Sequence, residues 1–327
     1  MNSLSGIYIH IPFCKQACSY CDFYFITRNG LREEFVDRLC EEIDFYRDTE
    51  FTEETVETIY IGGGTPSLLQ TGEVEKVFEH LHNTFRIEPE EITMELNPDD
   101  VTPGYLKELR ELGINRASMG IQSFDPDRLK FMNRAHTSDE AKYALEILQT
   151  TGFRTFTVDL IYACPGQTLR DLQLDLDILL GYDPPHVSAY ALTIEPGTRL
   201  GKQVELGRLD LVKDDVKAAH FDLLTQQLAE AGIVRYEISN YSKPGFEAVH
   251  NTRYWQHQNY LGLGPSAHSF WRSGKEGRRW KVNSDIGRYM KHPFEEVQTE
   301  REPLSQGALA EERLMLGLRT KWGVDLE

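Results

Sequence analysis

Three cysteines fall within one short run, Ile9-His10-Ile11-Pro12-Phe13-Cys14-Lys15-Gln16-Ala17-Cys18-Ser19-Tyr20-Cys21. The spacing is Cys-x-x-x-Cys-x-x-Cys, with Tyr20 immediately before the last thiol. Three thiolates on one loop can hold a soft metal or an iron–sulfur cluster. A structural zinc would want four closed ligands, and no fourth Cys or paired His stands nearby. On a cubane cluster three thiolates leave one iron open. That vacancy suits the amino and carboxylate groups of S-adenosylmethionine, whose sulfonium bond an electron from the cluster could break to give a radical. The competing readings are a reducible disulfide and an adventitious zinc site.

Further residues of unusual type lie downstream. Gly62-Gly63-Gly64-Thr65-Pro66 frees the backbone for close approach to a ligand. No Lys-Ser/Thr follows, so it is neither a Walker phosphate loop nor a dinucleotide fingerprint. Alone it reads as a tight turn; beside a cysteine cluster it suits contact with the methionine part of the cofactor. Glu95 and Asp159 are carboxylates inside apolar strands and need partners there. Those partners are either a salt bridge to Arg116 or Arg134, or a cofactor amine or ribose. The segment His250-Asn251-Thr252-Arg253-Tyr254-Trp255 sets an imidazole beside aromatics and a guanidinium. His250 could ligate haem, Arg253 could pair a propionate, and Tyr254 and Trp255 offer flat apolar surface. The plainer reading makes His250 a loop-tying hydrogen-bonding residue, with His257 and His268 as competing ligands.

Strand–helix alternation must position these groups. Strands are expected at Gly6–Ile11, Val56–Ile61, Glu91–Leu96, Arg116–Gln122, Thr155–Ile161 and His186–Leu192. Helices are expected at Leu31–Arg47, Glu73–Phe85, after Thr102-Pro103, at Ser138–Thr150 with a Ser cap, and after a Thr168 cap. Cys40 falls within the first helix as a packing residue. Six such units imply parallel strands with right-handed crossovers and an open partial barrel. In such sheets function gathers at the carboxyl ends of the strands. The cysteines, the glycine run, Glu95, Gln122, Asp159 and Tyr190 all fall there.

The whole chain narrows the class. It has 327 residues, 40% of them hydrophobic, enough for one large α/β domain and a smaller appendage. With 35 basic and 52 acidic residues the net charge is −17. That argues against nucleic acid or an anionic membrane as the main partner. No apolar run has the length of a membrane span and no secretion signal is evident, and five unevenly placed cysteines read as a reducing compartment, so a cytoplasmic location is expected. The division expected is 1–232 for the barrel, 233–285 for a flanking segment, and 286–327 for the start of a helical C-terminal domain. Leu309–Arg319 reads as an amphipathic helix so near Glu327 that its apolar face lacks a partner, as in a chain that stops short.

Together these residues resemble the oxygen-independent coproporphyrinogen III oxidase family of radical S-adenosylmethionine (radical SAM) proteins. The carriers are the cysteine loop, Gly62–Pro66, Glu95-Leu96-Asn97-Pro98, Gly120-Ile121-Gln122-Ser123-Phe124, Asn133-Arg134-Ala135-His136, and Asp159-Leu160-Ile161-Tyr162 with Pro165-Gly166-Gln167-Thr168. Ala163-Cys164 replaces a Gly-Leu more usual in the family. The resemblance implies an α/β fold, a partial (β/α)6 barrel with a smaller C-terminal α+β extension. It implies a [4Fe–4S] cluster on Cys14, Cys18 and Cys21. S-adenosylmethionine would be held by Tyr8, Gly63 and Glu95, and a second molecule by Tyr20, Gly64, Thr65, Gln122, Arg134, Asp159 and Ala191. Within the family the chain is similar to the haem-chaperone branch. The oxidases carry a further Cys where Phe23 stands and an N-terminal extension ahead of the first strand, and the His250-Asn251-x-x-Tyr254-Trp255 pattern belongs to the chaperones. This implies haem as ligand, haem-accepting proteins as partners and an electron donor for the cluster, and no catalytic residue is assigned. The alternatives are the oxidase itself, decarboxylating coproporphyrinogen III, or a radical SAM enzyme with another substrate.

Overall fold

The computed structural model describes residues 4–325. The chain runs β1 (Leu4–Ile11), α1 (Arg32–Phe45), β2 (Thr55–Gly63), α2 (Thr71–Thr84), β3 (Ile87–Leu96), α3 (Pro103–Glu111), β4 (Arg116–Gln122), α4 (Pro126–Phe131), α5 (Ser138–Thr150), β5 (Thr155–Tyr162), α6 (Leu169–Gly181) and β6 (His186–Ala191). It continues through α7 (Arg199–Glu205), α8 (Asp214–Glu230), β7 (Val234–Arg235), β8 (Asn240–Ser242), α9 (Val249–Trp255), β9 (Asn259–Leu263), β10 (His268–Ser273) and β11 (Glu276–Val282). Last come α10 (Ile286–Lys291), α11 (Phe294–Val297), β12 (Gln298–Leu304) and α12 (Gln306–Gly317).

The strands form a single sheet ordered β12-β11-β10-β9-β1-β2-β3-β4-β5-β6-β8-β7. Strands β1 to β6 pair in parallel, as the strand–helix alternation predicts, and form the partial barrel. The sheet also extends beyond both expected edges. β9 joins β1 in parallel, with Ile7 opposite Leu261, and β8 joins β6 antiparallel. The segment after residue 286 is not helical throughout, because β12 pairs with β11 and adds an outer strand.

Alternation along the strands explains the layers. Ile7, Ile9 and Ile11, Ile59 and Ile61, Met94 and Leu96, and Met119 and Ile121 are buried in the main apolar core, which they share with the helices. The intervening residues, including Tyr60, Thr93, Glu95, Arg116, Ser118, Asp159 and Ser188, line a cavity inside the barrel. A strand face this polar cannot make a dry core, so the interior stays open to a ligand.

Local signals set most boundaries. Thr102 caps α3 through Tyr105 N, with Pro103 in the first turn. Thr168 forms a reciprocal box with Asp171 at the start of α6. The cap of α5 is Thr137, boxed with Glu140, one residue before the expected Ser138. Ser138 Oγ instead donates to the Phe124 carbonyl at 2.6 Å. In α12 Leu309 packs with Phe270 and Leu304, whereas Leu314 and Met315, and Leu318 just past its end, are exposed. Among the described residues no helix is long and apolar enough to cross a membrane.

Candidate functional site

The cysteine loop leaves β1 and is held at both ends. Cys14 N donates to the Ile26 carbonyl at 2.9 Å and Ile26 N to the Pro12 carbonyl at 2.7 Å, closing the loop on itself. Ser19 N donates to the Met132 carbonyl at 2.9 Å and Asn133 Nδ2 to the Ala17 carbonyl at 2.7 Å. The segment after α4 is therefore the loop's outer brace. Cys14, Cys18 and Cys21 are free thiols, each partly exposed, whereas Cys40 and Cys164 are buried. Burial pushes the Cys14 thiol up to about 11 and the Cys21 thiol to about 12. Among the described residues no three His, Cys, Asp or Glu side chains form a single-ion site.

The glycine run presses against that loop. Gly64 N donates to the Ile11 carbonyl at 2.8 Å. A Cβ on Gly64 would lie 2.7 Å from the Phe13 carbonyl oxygen and 3.1 Å from Cys14 Sγ, so only glycine fits. Gly63 has φ +112, and a Cβ there would strike the His10 ring at 2.8 Å. His10 Nε2–H in turn donates to the Tyr24 carbonyl at 2.9 Å. Thr65 Oγ1 donates toward Cys14 Sγ at 3.4 Å.

Below the loop lies a cavity of about 710 Å³, within the range of small-molecule sites. Cys14, Cys18, Cys21, Tyr20, Gly63, Gly64 and Thr65 line it, as do Glu95, Gln122, Arg134, Asp159 and Ala191. These twelve sequence-selected residues thus meet on one surface, although they come from the loop after β1 and from strands β2 to β6 with their following loops. Tyr8 is not on that surface. Its ring stacks on Tyr60, which is, and its hydroxyl lies 3.1 Å from His10 Nδ1.

The two inward carboxylates have partners other than those expected. Glu95 accepts from the Tyr60 hydroxyl at 2.8 Å and from Gly63 N at 3.1 Å. Asp159 accepts from Ser118 Oγ at 3.3 Å. Among the described residues no arginine forms an ion pair with either carboxylate. Arg116 instead sits near Glu91, and Arg134 bonds Asn97, Gly120 and Cys18. Burial raises Glu95 to about 7 and Asp159 to about 6 against the pull of these hydroxyl and amide donors. Two carboxyls poised so close to neutrality suit a cationic ligand that would restore their charge. Asn97, Ser118 and Ser188 also line the cavity, and the alternation of polar residues along β3, β4 and β6 was the signal that could have found them.

The expected haem face is corrected by the structure. His250 is buried within the barrel base. Its Nδ1 lies 2.9 Å from Thr58 Oγ1 and its Nε2 2.6 Å from the Tyr254 hydroxyl, so neither nitrogen is free for iron. Burial takes its pKa down to about 3. Glu91 accepts from Val249 N at 2.9 Å and His250 N at 3.0 Å, capping α9 with a carboxylate. Arg253 is paired with Glu57 and lines a separate cavity of about 290 Å³. Arg319 covers the Trp255 ring at 4.5 Å. The motif therefore builds α9 as a plug under the barrel, with Asn251 facing the main cavity. The competing histidines differ: His257 stacks on Phe270 at 4.3 Å and lies 3.1 Å from Glu312, while His268 is exposed on β10.

Residues 8–179 match the model of the radical SAM superfamily. A protein from Lactococcus lactis named heme chaperone HemW is 36% identical over 325 residues, covering 99% of this chain and 83% of that one. The protein of the same name from Bacillus subtilis is 33% identical over 330 residues, covering 98% and 85%. That from Escherichia coli is 37% identical over 267 residues, covering 80% and 69%. Among solved structures, coproporphyrinogen III oxidase (HemN) from Escherichia coli superposes with a TM-score of 0.84 at 22% identity, covering 98% of this chain and 76% of that one. That likeness shows the fold, the α/β partial barrel read from the sequence. The sequence matches go further: the chain belongs to the radical SAM superfamily and, within it, to the HemW family.

Proposed function

We propose that this protein binds haem and passes it to haem-accepting proteins, on a barrel that carries a [4Fe–4S] cluster and S-adenosylmethionine. The observation that carries the cofactor reading is the convergence of three free thiols, a glycine run and two near-neutral carboxylates on one cavity. The haem reading rests on the family, whose curated members are named as haem chaperones.

The residues fit the cluster. Three thiols on one braced loop suit a group with several metal atoms, and the raised pKa values of Cys14 and Cys21 are what an iron charge would reverse on binding. When bound, a cluster supplies one electron to S-adenosylmethionine. The chain's own part is placement. Gly64 lets the second strand's turn meet the loop without a clash. Glu95 and Asp159 offer anionic oxygens to the cofactor's ammonium, sulfonium or ribose hydroxyls. Arg134 holds the Cys18 side of the loop.

Haem is assigned to the cavity rim in place of the His250 motif. Phe23 and Ile238 line the cavity and are 68% and 48% exposed. Phe25 and Phe221 line it as well. Such rings suit a flat apolar macrocycle, and the cysteine found there in the oxidases is absent.

The test is an anaerobic assay on the cluster-reconstituted chain. Supplied with coproporphyrinogen III, S-adenosylmethionine and reductant, it should form no protoporphyrinogen, while haem should bind saturably at the Soret band. Turnover of coproporphyrinogen III would assign the oxidase reaction instead. Serine at Cys14, Cys18 or Cys21 should abolish iron loading, and serine at Cys40 or Cys164 should leave it unchanged.

A further inference from the structure

The far end of the cavity, away from the cysteines, holds three polar atoms without partners among the described residues. Arg116 opens β4 and His186 opens β6, so both lie at the barrel floor. Thr93 stands opposite Arg116 in register, and Thr157 opposite His186. All four line the cavity, and none is more than 2% exposed. Arg116 Nη2 donates to Thr157 Oγ1 at 2.6 Å. Among the described residues its Nη1 has no partner, nor do His186 Nδ1 and Thr93 Oγ1.

The hydrogen-bond network fixes what these atoms offer. The Tyr236 hydroxyl accepts from Ala248 N at 3.2 Å. Its own proton then has His186 Nε2, 2.8 Å away, as acceptor. That leaves the proton of the neutral imidazole on Nδ1. Arg116 Nη1 and His186 Nδ1 are thus donors, and the Thr93 hydroxyl can be a third. The neighbouring carboxylate does not neutralise the guanidinium through a hydrogen bond. Glu91 Oε2 lies 3.9 Å from Arg116 Nε, and both Glu91 oxygens already accept from the first amides of α9.

Unpaired buried donors around a cation call for an acceptor with negative charge. We propose that the barrel floor is a carboxylate site, formed by Arg116, His186 and Thr93 and separate from the cysteine loop. A planar guanidinium with a flanking hydroxyl and imidazole N–H matches the two oxygens of one carboxylate. The carboxylate is either a free small acid or the acid arm of a larger molecule in the cavity. The site stands on these contacts alone, so its test is separate from that of haem transfer.

Equilibrium dialysis of radiolabelled acetate against the full, cluster-reconstituted chain reads it out. Wild type should bind one saturable equivalent. Thr93→Val, which keeps shape and removes the hydroxyl, should weaken binding about tenfold, and Arg116→Gln by more. Should Arg116→Gln fail to fold, Thr93→Val decides. Displacement of acetate by haem but not by its dimethyl ester supports an acid arm. Acetate retained in the presence of haem supports a free acid. No saturable binding to wild type, or wild-type affinity in folded Thr93→Val, overturns the site.

Discussion

Arg134 Nη1 lies 3.3 Å from Cys18 Sγ, while Nη2 of the same guanidinium donates to Asn97 Oδ1 at 2.7 Å and to the Gly120 carbonyl at 2.8 Å. One side chain therefore joins the middle cysteine to the ends of β3 and β4. The fork geometry is what allows it, since a lysine offers a single point of attachment.

Arg134→Lys should accordingly keep the fold and loosen the loop. Iron retained after a chelator challenge should fall at least twofold, and affinity for S-adenosylmethionine about tenfold. Unchanged values for both would show that Arg134 braces nothing that the cluster needs.

Glu95 makes a pH prediction. Its carboxyl is raised from 4.5 to about 7 by burial. Such a group binds its proton more tightly folded than unfolded, so its stabilising effect is full below the unfolded value and is lost as pH rises through about 7. Without S-adenosylmethionine, wild type should lose stability between pH 5 and 7.5 relative to Glu95→Gln, by on the order of 2 kcal/mol. The cofactor's affinity should rise over the same window in wild type only. Parallel denaturation midpoints across that range would refute the assignment.

His250→Ala should behave as a core defect. It strips the Thr58 and Tyr254 hydroxyls of their partner and leaves a hole beside Gly6, whose missing Cβ makes room for the ring. A loss of about 3 kcal/mol is expected in urea unfolding. At a temperature where the variant is folded, its haem spectrum and affinity should match wild type. A lost Soret signal in folded protein would restore His250 as a ligand.

Ala163 follows β5 with φ 55, in the left-handed region that disfavours a side chain. Ala163→Gly should raise stability by about 0.5–1 kcal/mol. A fall would mean that the Ala163 methyl packs more favourably than the strain it imposes.

Much of this arrangement is legible in the chain because the signals are local. Thr102-Pro103 and Thr168 mark their helices, and the cysteine spacing marks its loop. The α5 cap slipped by one because Thr137 and Ser138 are both good caps, and only Glu140 at the right offset chooses between them. α4 escaped because it spans only six residues. The pairing of β1 with β9 joins segments some 250 residues apart and leaves no periodic trace. The choice between the two readings of His250 turns on a similarly distant contact. A histidine among aromatics looks alike whether it faces iron or a threonine, and the deciding partner, Thr58, lies on β2.

The most direct measurement is haem transfer. Haem-loaded, cluster-reconstituted protein is mixed anaerobically with an apo-haemoprotein whose holo form has a distinct Soret maximum. The account predicts that the acceptor's band grows as the donor's declines, faster than from free haem at equal concentration, and more slowly when Phe23→Asp lowers loading. Haem that stays with the chain, or that reaches the acceptor at the rate of free haem, would contradict it.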